Sequence, residues 1–214
     1  MVDLLAADPT APSSVRDPAD AWRVHVADSL SGLVVSELAS ARRIADVGAG
    51  AGFPGLVLAA ELPDAEVDLI EATTRKCEFM RRALDAAGIA NASVVCDRAE
   101  TWATAPPPDG GREAYDVVTA RAVGRLATLA ELASPLLRQE GVLVGWKGRR
   151  DPDEEAELER AAERLAMTPE QILAVGPFAG SRHRHLHTAR KAGPTPHDLP
   201  RRPGMAKKRP LGAA

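Results

Sequence analysis

The chain has 214 residues, of which 45% are hydrophobic, 27% charged and only 3% aromatic, and its formal net charge is −3. That size suits one large domain whose core is built from Leu, Val, Ile and Ala. No apolar run approaches the ~20 residues of a membrane span, residues 1–10 carry Asp3 and Asp8 where a secretory signal would be basic, and two cysteines, Cys77 and Cys96, form neither a disulfide framework nor a zinc cluster, so a reducing cytoplasm is the expected compartment.

The first twenty residues are rich in Pro, Ala and Asp and read as an irregular lead-in. A helix starts near Asp20, where Trp22, Val26, Leu30, Leu33, Val34 and Leu38 recur at spacings of three and four. A strand over 43–48 ends in a glycine-rich turn, and a short helix follows over 54–61. Then come a strand over 66–71, a helix over 74–87 with Gly88 as its C-cap, and a strand over 92–96. A Pro/Gly-rich loop at 105–111 leads to a strand over 115–120, a helix over 125–138 and a strand over 141–146. A charged helix at 153–167, expected to be a solvated face, precedes two strands over 170–175 and 184–190. Five prolines in the last twenty-odd residues argue against packed structure there. Strands alternating with helices give an α/β, Rossmann-like fold, a mostly parallel seven-stranded sheet with helices on both faces. The expected division is an N-terminal lead-in and helix over 1–40, a central domain over 41–191 and a basic tail over 192–214.

Ligands of such sheets bind at the carboxyl ends of the strands, where strand order reverses. After the first strand the chain reads Asp46-Val47-Gly48-Ala49-Gly50-Ala51-Gly52-Phe53-Pro54-Gly55. The stretch from Gly50 to Gly55 matches the dinucleotide fingerprint, whereas Asp46 to Gly52 matches the turn of S-adenosylmethionine (SAM) enzymes. Asp46 favours SAM, because a carboxylate repels a pyrophosphate but suits the ammonium of an aminoacyl group. Pro54, suited to the first helical position, removes an N–H that a pyrophosphate would use. Glu71 closes the second strand and can accept ribose hydroxyls. Asp97-Arg98-Ala99-Glu100 closes the third, where an acid or an amide can read adenine; Asp97 itself reads better as a solvated cap. The fourth strand ends in Arg121, a poor base but a good anion clamp. Lys147 follows the fifth strand, as a snorkelling surface group or as part of an RNA face. Cys77 and Cys96 read as buried small hydrophobes.

Charge is unevenly distributed. Residues 182–214 hold nine Lys/Arg and one acid, a balance of +8 on a body of −11. Such a tail suits a polyanionic partner.

These motifs together resemble the RsmG (GidB) family of bacterial 16S rRNA guanine-N7 methyltransferases. The resemblance runs from about Val15 to Leu211 and is carried by His25 with Asp28-Ser29, the turn from Asp46 to Gly55, Arg98-Ala99-Glu100, Arg121-Ala122, Lys147-Gly148, Arg184-His185-Leu186 and the ending Pro200-Arg201-Arg202-Pro203-Gly204 with Lys208-Arg209-Pro210-Leu211. It implies a class I SAM-dependent methyltransferase with SAM as its cofactor, contacts to SAM at Gly48, Phe53, Ala99, Glu100 and Arg121, and methylation of guanine 527 (reference rRNA numbering) at N7. Members usually carry more N-terminal residues before an Asn-Leu-Thr motif, which is Ala11-Pro12-Ser13 here, and an arginine directly before the histidine, which is Val24 here.

Guanine N7 has a lone pair and no proton to lose, so the reaction requires no general base. On this reading Asp46, Gly48, Gly50, Phe53, Glu71, Ala99, Glu100 and Arg121 bind the cofactor, and Arg121 and Lys147 position the reacting groups. His25, Arg201, Arg202, Lys207, Lys208 and Arg209 meet RNA, His25 serving equally well as a structural residue of the first helix. The expected partner is 16S rRNA or the small ribosomal subunit, with no metal, no membrane and a monomeric enzyme. The competing readings are a methyltransferase for a small molecule or protein, an NAD(P) oxidoreductase, and a ribosome-binding factor without activity.

Overall fold

A computed structural model describes residues 2–15 and 17–213. One seven-stranded sheet runs through the molecule in the order β3-β2-β1-β4-β5-β7-β6. The strands are β1 (Arg43–Val47), β2 (Glu66–Ile70), β3 (Ala92–Val95), β4 (Tyr115–Arg121), β5 (Leu137–Lys147), β6 (Met167–Ala174) and β7 (His185–Lys191). The first five are parallel, and β7 lies antiparallel between β5 and β6. Strand order reverses between β1 and β4, so their carboxyl ends flank the crevice where such sheets hold ligands. Because β7 is antiparallel, its first residues reach the same edge.

Alternation along the strands sorts side chains onto two cores. Ile44, Leu69, Val117, Val144 and Trp146 pack on one face with α5 (Gly55–Glu61) and α6 (Thr74–Ala87), while Ala45, Val47, Val118 and Leu143 pack on the other with α8 (Leu126–Ala133) and α9 (Pro152–Ala162). Gly88 takes φ 64° as the C-cap of α6, and Asp151 caps α9 through the N–H groups of Asp153 and Glu154.

Several expectations are corrected. The N-terminal segment is not one amphipathic α-helix. After α1 (Val2–Ala7), α2 (Pro18–Ala21) passes into a π-helical stretch over Trp22–Ala27, then α3 (Asp28–Leu30), a 3₁₀ turn over Ser31–Val34 and α4 (Ser36–Ala39). The wider π turn rotates the stripe out of phase, and Trp22 and Val34 end 58% and 64% exposed. The helix expected over 125–138 stops at Ala133, and β5 starts at Leu137, with Pro135 in the turn between them, where its ring and missing N–H cannot continue the helix. The acidic helix α9 is not merely a solvated face: Glu154 and Glu157 are buried. Cys77 is buried as expected, but Cys96 is exposed.

The ending packs despite its prolines. Leu199 and Leu211 join the second core, and α10 (Met205–Lys208) lies against α8, where Thr128 Oγ1 donates to the Ala206 carbonyl at 3.1 Å. The short α7 (Ala99–Trp102) lies beside it, with Glu100 accepting from Gly204 N–H at 2.7 Å.

Candidate active site at the strand ends

The turn after β1 is wound by its own hydrogen bonds. Gly48 and Ala49 N–H donate to the Ile70 carbonyl at 2.9 and 3.1 Å, and Gly52 and Phe53 N–H donate to the Ala49 carbonyl at 2.7 and 3.2 Å. Gly50 N–H donates to Glu71 Oε2 at 3.1 Å and Gly55 N–H to Asp46 Oδ2 at 2.8 Å. A pyrophosphate is bound by free N–H groups. Here six amides are spent internally and the Glu71 carboxylate stands at the turn, which disfavours a dinucleotide. Gly48 is exposed with φ +67°, and a Cβ there would lie 2.7 Å from Val123 Cγ2. Pro54 precedes the helix as its N-cap rather than occupying the first helical position.

Asp46 does not reach the crevice. It is fully buried, and its other oxygen accepts from Thr119 Oγ1 at 3.1 Å. Burial pushes its carboxyl up to about 7, against the pull of Gly55 N–H, the Thr119 hydroxyl and the Arg121 charge. The expected direct contact of Asp46 with an ammonium is therefore replaced by a positioning role: it ties the turn to α5 and β4. Glu71 lies at the crevice edge. Its Oε1 accepts from Thr73 N–H at 2.9 Å and its Oε2 faces Lys76 Nζ at 3.4 Å. Burial raises its pKa, but the Thr73 hydrogen bonds, Lys76 and Gly50 N–H outweigh it and hold the group below the usual carboxylate range. An ionised carboxylate keeps lone pairs for further donors.

Beside the turn, at the end of β4, Arg121 is held from three sides. Nη1 donates to Asp28 Oδ2 at 2.9 Å and to the Val24 carbonyl at 3.2 Å, and Nη2 lies 3.1 Å from His25 Nδ1. A guanidinium cannot accept, so Nδ1 of His25 accepts and the ring proton sits on Nε2, which donates to Ser13 Oγ at 3.0 Å. Burial and then the Arg121 charge push His25 down to about 4, with Asp28 pulling the other way. The His25 ring stacks on Phe53 with centroids 4.7 Å apart, and Arg121 Cζ lies 5.7 Å from the same ring. The π-helical stretch thus delivers Val24 and His25 to the arginine. Among the expected site residues, the structure brings together His25, Phe53 and Arg121.

His25 and Arg121 border a cleft of about 390 Å³ whose lining also includes Asp28, Lys147, Arg184 and His185. Lys147 is tied down, with Nζ donating to the Gly124 carbonyl at 2.9 Å and to Glu154 Oε1 at 2.5 Å. Trp146 closes the floor, its Nε1 donating to the Asp28 carbonyl at 2.8 Å. Sequence reasoning passes over Asp28, Arg184 and Ser13 as site residues. The signals for Asp28 are its place with His25 among the motifs that carry the family resemblance and its spacing of three from His25, which puts both on one helix face.

The tail divides. Arg201 forms a bidentate pair with Glu131, its Nε at 2.6 Å from one oxygen and its Nη2 at 2.5 Å from the other, and it is a packing residue, not a free phosphate contact. Arg202, Lys207, Lys208 and Arg209 are exposed and have no ion-pair partner among the described residues. Ala99 is buried, and Glu100 is engaged with Gly204.

The sequence from 12 to 186 matches the family described as rRNA small subunit methyltransferase G. A curated protein of that name from Moorella thermoacetica is 34% identical over 202 residues, covering 93% of this chain and 82% of its own length. Its counterpart from Rubrobacter xylanophilus is 40% identical over 200 residues, covering 92% of this chain and 75% of its own. The crystal structure of a predicted O-methyltransferase from Agrobacterium tumefaciens superposes with a TM-score of 0.59 at 31% identity, covering 78% of this chain and 81% of that one. A SAM-dependent methyltransferase from Aquifex aeolicus, 18% identical, shares the fold with a TM-score of 0.55, covering 81% and 93%. The fold is that of class I SAM-dependent methyltransferases, and the chain belongs to the rRNA small subunit methyltransferase G family.

Proposed function

We propose that this protein transfers the methyl group of SAM to N7 of a guanine in 16S rRNA of the small ribosomal subunit, guanine 527 in reference numbering. The observation that carries this reading is a cleft lined by a clamped arginine, His25 and further cations, with the His25 ring stacked on Phe53 of the glycine turn. The turn fits SAM: its amides are internally satisfied, Gly48 is open, and Glu71 offers acceptors one strand away. When bound, SAM supplies an electrophilic methyl group on a sulfonium.

The residues then have distinct tasks. Glu71 accepts from ribose hydroxyls, and Ala99 and Glu100 border the adenine. Arg121, fixed by Asp28, Val24 and His25, sets the wall between cofactor and acceptor. His25 takes no proton, because Arg121 occupies its acceptor nitrogen and Ser13 receives its N–H. N7 methylation needs no proton removal, so catalysis is positioning of N7 against the methyl carbon. Lys147 braces the floor through Glu154. Exposed Arg149, Arg182, Arg202, Lys207, Lys208 and Arg209 serve as phosphate contacts.

The test is methyl transfer from radiolabelled SAM to small subunits taken from a strain lacking the modification, followed by nucleoside mass spectrometry. Label in 7-methylguanosine at one loop position is the expected result. Label in another nucleoside, or none while SAM still binds, overturns the reading.

A further inference from the structure

Two buried side-chain oxygens lack a hydrogen bond among the described residues, Asp28 Oδ1 and Glu157 Oε1. Glu157 is paired with Arg125 on the α8–α9 side of the sheet. Asp28 lines the cleft, and it is the only carboxylate that does so among the described residues. Its residue is 7% exposed, its Oδ2 is held by Arg121, and its Oδ1 has only Arg184 Nε at 3.6 Å, beyond hydrogen-bond distance. A buried carboxylate oxygen left unbonded is costly, and the cost is recovered when a donor arrives. Arg184 is partly exposed at the cleft mouth and can yield to an entering base.

We propose that Asp28 is the specificity-determining residue for the target base, its Oδ1 accepting from the N1–H and N2–H donors on the Watson–Crick edge of guanine. This rests on the reading of the site as a guanine methyltransferase. The chemistry discriminates between the two purines that have an N7. Guanine presents adjacent N–H donors where adenine presents the N1 lone pair, which a carboxylate repels. The placement also couples recognition to reaction. Methylation at N7 puts positive charge on the purine and acidifies N1–H, so the hydrogen bond to Asp28 strengthens as the methyl group moves across. An interaction stronger in the transition state than in the ground state raises turnover as well as binding.

Inosine, which keeps N7 and N1–H but lacks the N2 amino group, isolates the contact. Small subunits are reconstituted with rRNA carrying either guanosine or inosine at the methylated position. Transfer is read as 7-methylguanosine or 7-methylinosine by mass spectrometry. Wild-type enzyme is expected to favour guanosine by roughly 10- to 100-fold in kcat/KM. In Asp28→Asn that ratio is expected to fall to within about threefold of one, since the amide would present a donor to the base and lose the guanosine advantage. Loss of the Arg121 pair alone would slow both acceptors equally and leave the ratio intact, so the ratio separates reading from bracing. SAM affinity, measured in parallel, confirms that the variant is folded; Asp28→Ser replaces it if it is not. A wild-type ratio near one overturns the proposal without any variant, and so does a preference that survives in Asp28→Asn. If wild-type enzyme makes no 7-methylguanosine at all, the functional reading fails first.

Discussion

His25 carries no exchangeable charge at neutral pH. Burial and Arg121 hold it at about 4, from an ordinary 6.5. Between these values the unfolded chain binds the proton and the native protein does not, so this group removes stability as pH falls through that window. The His25 resonance in an NMR titration should have its midpoint below pH 5, and the pH profile of turnover should show no limb from it between 6 and 8. Asp46 behaves in the opposite sense. Its carboxyl is raised from 3.8 to about 7, so the native state holds a proton that the unfolded state has lost, and stability falls as pH rises from about 4 to about 7. Asp46→Asn keeps an acceptor for Gly55 N–H and removes the charge. The difference between wild-type and Asp46→Asn unfolding free energies should change across that window by roughly 4 kcal/mol at most. A difference that does not move with pH would show that Asp46 is already ionised at pH 4.

The elements at the site differ in how openly the sequence declares them. The parallel strands were legible because strands buried on both faces read as short apolar runs, as in Ile44-Ala45-Asp46-Val47 and Val117-Val118-Thr119-Ala120. The glycine turn was legible because Gly48 needs its φ of +67° and its lack of a Cβ. Gly48→Ala should therefore lower SAM affinity at least tenfold through strain at Val123 and the backbone, measured by calorimetry. The π-helical stretch was not legible, because the contact made there is tertiary: Arg121, 97 residues away, donates from Nη1 to the Val24 carbonyl. The folded ending was hidden too. Its prolines and charges describe a solvated tail, and its apolar residues Leu199, Ala206 and Leu211 are buried. The anchor that matters is Arg201 on Glu131, a carboxylate 3% exposed. Arg201→Ala leaves that charge buried and alone, with an expected loss of about 3 kcal/mol in denaturant unfolding, whereas Arg202→Ala at the surface should stay within about 0.5 kcal/mol of wild type.

At the scale of the whole molecule, the basic ending is less of a free polycation than its composition states. Of its nine Lys/Arg, Arg184, Arg190 and Arg201 are paired with carboxylates, and Lys191 is buried with Nζ on Ser134 and Thr195. Arg182, Arg202, Lys207, Lys208 and Arg209 have no ion-pair partner among the described residues, and the same holds in the loop after β5 for Arg149, whose Nη2 lies 3.4 Å from His183 Nε2. These six cations fall in two groups, Arg149 and Arg182 in the loops next to the cleft residues Gly148 and Arg184, and the other four on the packed ending that borders Glu100. Each phosphate neutralised contributes about −0.7 to −0.9 to the slope of log K against log salt. If all six engage rRNA, the slope should lie between about −4 and −5. Replacing Lys207, Lys208 and Arg209 by Ala should make it shallower by about 2 to 3 without shifting the melting temperature, since none of the three has an ion pair among the described residues. Replacing Arg149 and Arg182 should remove about 1.5. A slope insensitive to the first set but not the second would place the RNA on the cleft mouth alone and leave the packed ending as a brace for Glu100.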